Sequence, residues 1–166
     1  MADTVEFSLT GLDSLLGKLE SVSYDVKRKG GRTALRKAAQ AIRDAAKQNA
    51  ARLDDPETAA NISANIVERW NGRLFKRTGD LGFRVGVMGG AGGSKSGAEL
   101  SGLPGGDTRH FRYVEFGTEK TVAQPFLRPA LEQNIGQATD IFVKEYEKAI
   151  DRALKRAAKK QSAGAK

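Results

Sequence analysis

The chain has 166 residues and a formal net charge of +8, from 28 Lys and Arg against 20 Asp and Glu. That length suits one domain of ~100–150 residues with tails, and the excess of positive charge points to an anionic neighbour, either nucleic acid or an acidic surface. The absence of cysteine excludes disulfides, a thiolate nucleophile and cysteine-ligated zinc; no stretch approaches the ~18 apolar residues of a membrane span, and no basic-then-apolar leader opens the sequence.

Val5, Phe7 and Leu9 alternate with Glu6, Ser8 and Thr10, which predicts a strand with one buried face. Gly11 ends it. Leu12, Leu15, Leu16, Leu19, Val22 and Val26 then follow helical spacing, with Thr10 placed to cap the start. Gly30-Gly31 is read as a break before a second helix, whose stripe runs through Leu35, Ala38, Ala39, Ile42, Ala45, Ala46, Asn49 and Leu53. Asp54-Asp55-Pro56 closes it, and residues 57–65 are open between helix and loop.

Asn71-Gly72 predicts a two-residue hairpin turn joining arms at 66–70 and 73–77. Thr78-Gly79-Asp80 is a further turn, and Phe83, Val85 and Val87 alternate as a strand. Residues 89–108 are rich in glycine and poor in large apolar side chains, so they are expected to form a flexible loop. Residues 110–116 fit either a strand or a short helix closed by Gly117. Pro129 opens a long final helix with a stripe of Leu131, Ile135, Ala138, Phe142, Tyr146, Ala149 and Leu154, and the basic end from Arg152 onward is expected to fray. The fold class is therefore α+β, a small, mostly antiparallel sheet packed against two N-terminal helices and a long C-terminal helix. Residues 1–150 form the single domain, with 151–166 a basic tail continuing the last helix.

Chemistry is scarce. His110 is the only histidine, so no histidine pair can hold a metal, and no G-x-S-x-G is present to build a serine triad. Asp54-Asp55 sits at a helix junction, where capping is the ordinary role of such acids. Gly86 to Gly93 follows a strand as a dinucleotide loop does, but no helix-forming pattern or G-K-S/T ending succeeds it. No catalytic, cofactor or metal residue is assigned. Two basic groups remain as candidates for contact with DNA or an acidic partner: Lys27, Arg28, Lys29 and Arg32, extended by Arg36 and Lys37, and Arg152, Lys155, Arg156 and Lys159. With no base-reading motif, any DNA contact would be to phosphates, without sequence preference.

The most distinctive stretch is Tyr113-Val114-Glu115-Phe116-Gly117-Thr118, followed by Gln124-Pro125-Phe126-Leu127-Arg128-Pro129 and Ala130-Leu131. It resembles the paired "VEFGT" and "QPFLRPAL" elements of the head–tail joining proteins of long-tailed phages, also called neck or tail-completion proteins. Thr78-Gly79-Asp80-Leu81 is similar to that family's turn before a strand. The sequence departs from the pattern at Phe111-Arg112, where the family often has Tyr-Ala, and at Thr121-Val122, where it often has Met-Pro.

The resemblance implies a non-enzymatic virion protein that assembles in the host cytoplasm into a ring joining the DNA-filled head to the tail. The tail tube is six-fold, so a hexamer is expected, with a twelve-fold ring as the other option. Implied partners are further copies of the chain, the head-closure or connector protein, and the tail-terminator or tail-tube protein, with non-specific contact to packaged DNA and no membrane. The alternative is a basic protein that binds duplex DNA phosphates. The residues of the two elements form the candidate assembly motif. Within it Glu115 is either an exposed acid near a turn or a buried one that accepts backbone N–H groups or pairs with Arg128.

Overall fold

The computed structural model describes residues 24–53, 60–89 and 96–164. In chain order these form α1 (Tyr24–Ala51), a 3₁₀ turn (Ser63–Asn65), β1 (Ile66–Trp70), α2 (Gly72–Thr78), β2 (Phe83–Val87), α3 (Gly97–Ser101), α4 (Phe111–Phe116) and α5 (Leu127–Gly164). The strand expected at Val5–Leu9, the helix expected from Leu12 as far as Val22, and Asp54-Asp55-Pro56 lie outside the described residues.

Two long helices, α1 and α5, carry the structure. They run antiparallel: Gly30 of α1 faces Ala149 of α5, while Asn49 reaches Phe126 at the other end. The sequence reading broke the first of these helices at Gly30-Gly31, but α1 runs continuously through both. The glycines serve close approach rather than a turn. A Cβ on Gly30 would lie 3.0 Å from the Ala149 Cβ, and one on Gly31 would lie 2.8 Å from Leu81 and 3.3 Å from the Tyr146 ring. Glycine in a helix costs about 1 kcal/mol relative to alanine, and packing against α5 offsets that cost. Ala34, Ala38, Ala46 and Ala50 of α1, with Ala130 and Ala138 of α5, are buried and keep the helices close. Tyr146 donates its hydroxyl to the Lys27 carbonyl at 2.8 Å, and Lys37 pairs with Glu145. Gly31→Val is expected to lower the free energy of unfolding by about 1–3 kcal/mol, the usual range for overpacking, as read by urea denaturation.

The several antiparallel strands expected reduce to two among the described residues. β1 and β2 pair antiparallel, with Ile66 opposite Val87, Glu68 opposite Val85 and Trp70 opposite Phe83. β1 has its expected bounds, but its partner is β2 and not residues 73–77. Asn71 takes φ −90° and its side chain accepts from the Leu74 N–H at 3.2 Å, so it caps α2 where the hairpin turn was expected. Asparagine suits both roles, as helix cap and as turn residue. Gly79 ends α2 at φ 80°, as the Thr78-Gly79-Asp80 turn requires.

Glu68 sits on the sheet face toward α1 and ties the two together. It accepts from Arg43 at 2.6 Å, Gln40 at 3.1 Å and Arg36 at 3.4 Å. Burial pushes its carboxyl up, but hydrogen bonds from Arg43, its own backbone N–H and Gln40 outweigh that and hold it at about 2, below the ordinary 4.5. Glu145 is likewise held at about 2 by Lys37 and Lys148. A carboxyl depressed in the folded state contributes stability that is full above its unfolded pKa and is lost as pH falls through the folded one. The melting temperature should therefore drop between pH 4.5 and about 2. Glu68→Gln should lower it at pH 7 and flatten part of that drop, as followed by circular dichroism across the interval.

Residues 96–108 are not the plain loop their composition predicts. Ser96 and Glu99 form a reciprocal capping box at the start of α3, and Leu100 is buried. The buried Asn65 accepts from the Gly105 N–H at 2.9 Å and donates to the Gly106 carbonyl at 2.9 Å and the Thr108 hydroxyl at 2.8 Å. A Cβ on Gly105 would fall 1.9 Å from the Asn61 carbonyl oxygen, so glycine is required for this docking.

The main core gathers Ala46, Ala50, Ile62, Ile66, Phe126 and Ala130, backed by Val85, Val87 and Leu127. Ile150 is buried on α5, whereas Leu131 and Leu154 of the expected stripe are exposed. The basic end remains helical to Gly164 and does not fray from Arg152. The class is a mostly helical α+β fold, with one long helix where two N-terminal helices were expected.

Candidate functional site

Residues 110–116 take the helical option, as α4, which Gly117 ends at φ 74° and ψ 179°. A Cβ on Gly117 would lie 2.9 Å from the Ala123 nitrogen and 3.0 Å from the Thr121 carbonyl oxygen. Both the dihedral and the crowding demand glycine. The chain then makes a tight loop in which Thr118 and Thr121 exchange backbone hydrogen bonds, and Gln124 donates its N–H back to the Val114 carbonyl at 2.8 Å. The loop thus delivers Pro125 and Phe126 beside the helix it has just left.

Glu115 joins the two halves of the motif. It is 1% exposed, which settles its role in favour of the buried reading. Its carboxylate accepts from the backbone N–H of Phe126 at 2.8 Å, Leu127 at 3.0 Å and Arg128 at 3.2 Å. These are the unsatisfied donors at the start of α5, and the next residue, Pro129, has no N–H to satisfy. A carboxylate at this position is also favoured by the helix dipole. Arg128 adds its Nε at 3.4 Å to the carboxylate and its Nη2 at 3.0 Å to the Glu115 carbonyl. Phe126, 0% exposed, is thereby aimed into the main core.

Other members of the motif point outward. Tyr113 is 63% exposed, Phe116 67% and Val122 84%. The Arg128 guanidinium lies 5.5 Å from the centre of the Phe116 ring, within cation–π range. The motif thus divides into a buried anchor, Glu115 and Phe126, and an exposed apolar surface on either side of Gly117.

The two basic groups meet. Since α1 and α5 are antiparallel, Lys27, Arg28, Lys29 and Arg32 share one end of the helix pair with the exposed Arg152, Lys155, Arg156 and Lys159. Arg28 lies over the Phe75 ring at 4.3 Å and Arg32 over Trp70 at 4.4 Å. Sequence reasoning missed Arg69 and Arg84, which the register puts directly opposite one another and exposed; only the pairing of β1 with β2 brings them together. It also missed Asn65, whose sole trace in the sequence is the Gly105-Gly106 pair it holds.

His110 is exposed and makes no side-chain cap to α4. Among the described residues no three His, Asp or Glu side chains gather as a metal site, and no helix is long and apolar enough to cross a membrane.

No curated protein and no solved structure matches the chain. A family model described as "Bacteriophage HK97-gp10, putative tail-component" matches residues 13–117. The match takes in α1 through α4 and ends at Gly117, before Gln124–Pro129. With more than half of its length matched, the chain belongs to the HK97-gp10-like family of phage structural tail components, which is not a family of enzymes.

Proposed function

We propose that this chain is a neck or tail-completion subunit that assembles into a ring at the head–tail junction and joins the DNA-filled head to the tail. The observation that carries the reading is the lock made by Glu115 on the start of α5. It fixes a turn whose apolar side chains, Tyr113, Phe116 and Val122, face solvent and not a pocket. A rigid, outward apolar surface loses little entropy on docking, which suits assembly. Repeated head-to-tail contacts between copies close into a ring when the rotation permits. A six-fold ring is the expected stoichiometry, with twelve-fold the other option, and the connector and tail-tube sides are the expected neighbours.

The test separates assembly from folding. Tyr113→Ser with Phe116→Ser is expected to change the free energy of unfolding by less than about 1 kcal/mol, as exposed positions do. Phage carrying the pair should nonetheless accumulate filled heads and free tails, counted by electron microscopy. Normal particle yield would remove the patch from the joining surface.

A second reading, contact with duplex DNA phosphates, is favoured by the convergence of the two basic groups at one end of the α1–α5 pair. Binding of that kind weakens steeply with salt. Substituting Arg152, Lys155, Arg156 and Lys159 by Gln should reduce both the affinity for duplex DNA and its salt slope, measured by fluorescence anisotropy.

A further inference from the structure

An apolar groove of about 650 Å³ lies between α1, β2 and α5. Leu35 and Ile42 line it from α1, Phe83 and Val85 from β2, and Leu131 and Ile135 from α5. Leu131 is exposed there although it lies on the apolar stripe of its helix. Among the described residues β2 pairs only with β1, so its other edge carries unpaired backbone groups. An apolar floor beside an open sheet edge is what one additional strand, apolar on one face, would cover.

We propose that residues 5–9 of the same chain form this strand, antiparallel to β2, with Val5, Phe7 and Leu9 turned into the groove. Three observations favour this occupant. Those residues alternate apolar and polar with the required period. The connecting length also fits. Residues 12–22, taken as the helix their spacing predicts, span about 16 Å, as does α1 from Tyr24 to Leu35. A helix doubling back from Tyr24 therefore brings Gly11 level with Leu35, at the edge of the groove.

The direction follows from the same geometry. The Trp70–Phe83 end of the sheet lies by Arg32, and the Ile66 end lies by Ala46 and Ala50. A strand leading into that helix has Leu9 at the Phe83 end and Val5 at the Val87 end, opposite in sense to β2. With Phe7 across from Val85, Glu6 falls on the outer face diagonal to Arg84. Arg84 is exposed and makes no ion pair among the described residues, so charge complementarity supports the register.

Because the chain has no native cysteine, the full-length Phe7→Cys, Ile135→Cys variant reports proximity cleanly. Treated with a short bismaleimide in dilute solution, it should crosslink within one chain, at several-fold higher yield than Ser8→Cys with Ile135→Cys. Amide hydrogen exchange of the full chain should show slow exchange along residues 5–9 and on both edges of β2. Phe7→Asp should release the outer edge of β2 while leaving α1 protected. A crosslink joining two chains would assign the groove to a neighbouring copy and overturn the proposal. Fast exchange on that edge of β2 in the unsubstituted chain would overturn it as well, whatever the crosslinking result.

Discussion

Truncation of Phe126 to alanine is expected to cost about 3–5 kcal/mol, the range for removing a buried aromatic ring. Phe126 is fully buried among Ala46, Ala50, Ile62, Ile66 and Ala130. Four of these neighbours lie on the two long helices and two at the entrance to the sheet, so the ring holds α1, α5 and β1 together. The backbone at Phe126 is fixed from both sides, by the Glu115 carboxylate on its N–H and by the Asn49 side chain on its carbonyl at 3.3 Å. A site so constrained cannot collapse to fill the space. Urea denaturation measures the loss, and a value below about 1 kcal/mol would show that Phe126 is peripheral.

Glu115→Ala should destabilise the protein by a similar amount, about 3 kcal/mol. Three backbone donors lose their acceptor, and an unsatisfied buried group costs about 1–3 kcal/mol. Leu127 and Arg128 are less buried than Phe126, so water recovers part of the loss. Glu115→Gln should restore only part of the stability: one amide oxygen remains, but the carboxylate charge that strengthens these bonds is gone. Arg128→Ala should cost much less, because its side chain is more than half exposed. Equal losses for Glu115→Ala and Arg128→Ala would mean that the ion pair, and not the cap, holds the turn. Amide exchange at Phe126, Leu127 and Arg128 reads the cap directly, with faster exchange expected in the Glu115 variants.

The sequence made legible what depends on neighbours in the chain. Val85 and Val87 alternate with Arg84 and Gly86, and the strand is found there. Helical spacing from Leu35 to Asn49 falls within α1, and Pro129 sits in the first turn of α5. The motif from Tyr113 to Pro129 was visible as a unit, with both roles of Glu115 open; its burial chose between them. What could not be read depends on distant partners. Gly30 and Gly31 look like a break until Tyr146 and Ala149 of α5 are set against them. Asn71 has the chemistry of a turn and of a helix cap, and the hydrophobic contacts of Phe75 with Trp70 and Arg28 favour the helix. Residues 105–108 look unanchored because their anchor, Asn65, lies forty residues earlier.

The salt bridges and the core explain how the chain folds, and the exposed turn explains what it can hold on to. These meet in the claim that residues 113–131 form a preformed docking element for assembly. Electron microscopy of intact particles, with this chain labelled, tests it most directly. The account predicts a closed ring at the head–tail junction with the turn around Gly117 pressed against a neighbouring subunit. Density that places the chain elsewhere in the particle, or leaves Tyr113, Phe116 and Val122 facing solvent in the assembled phage, would contradict it.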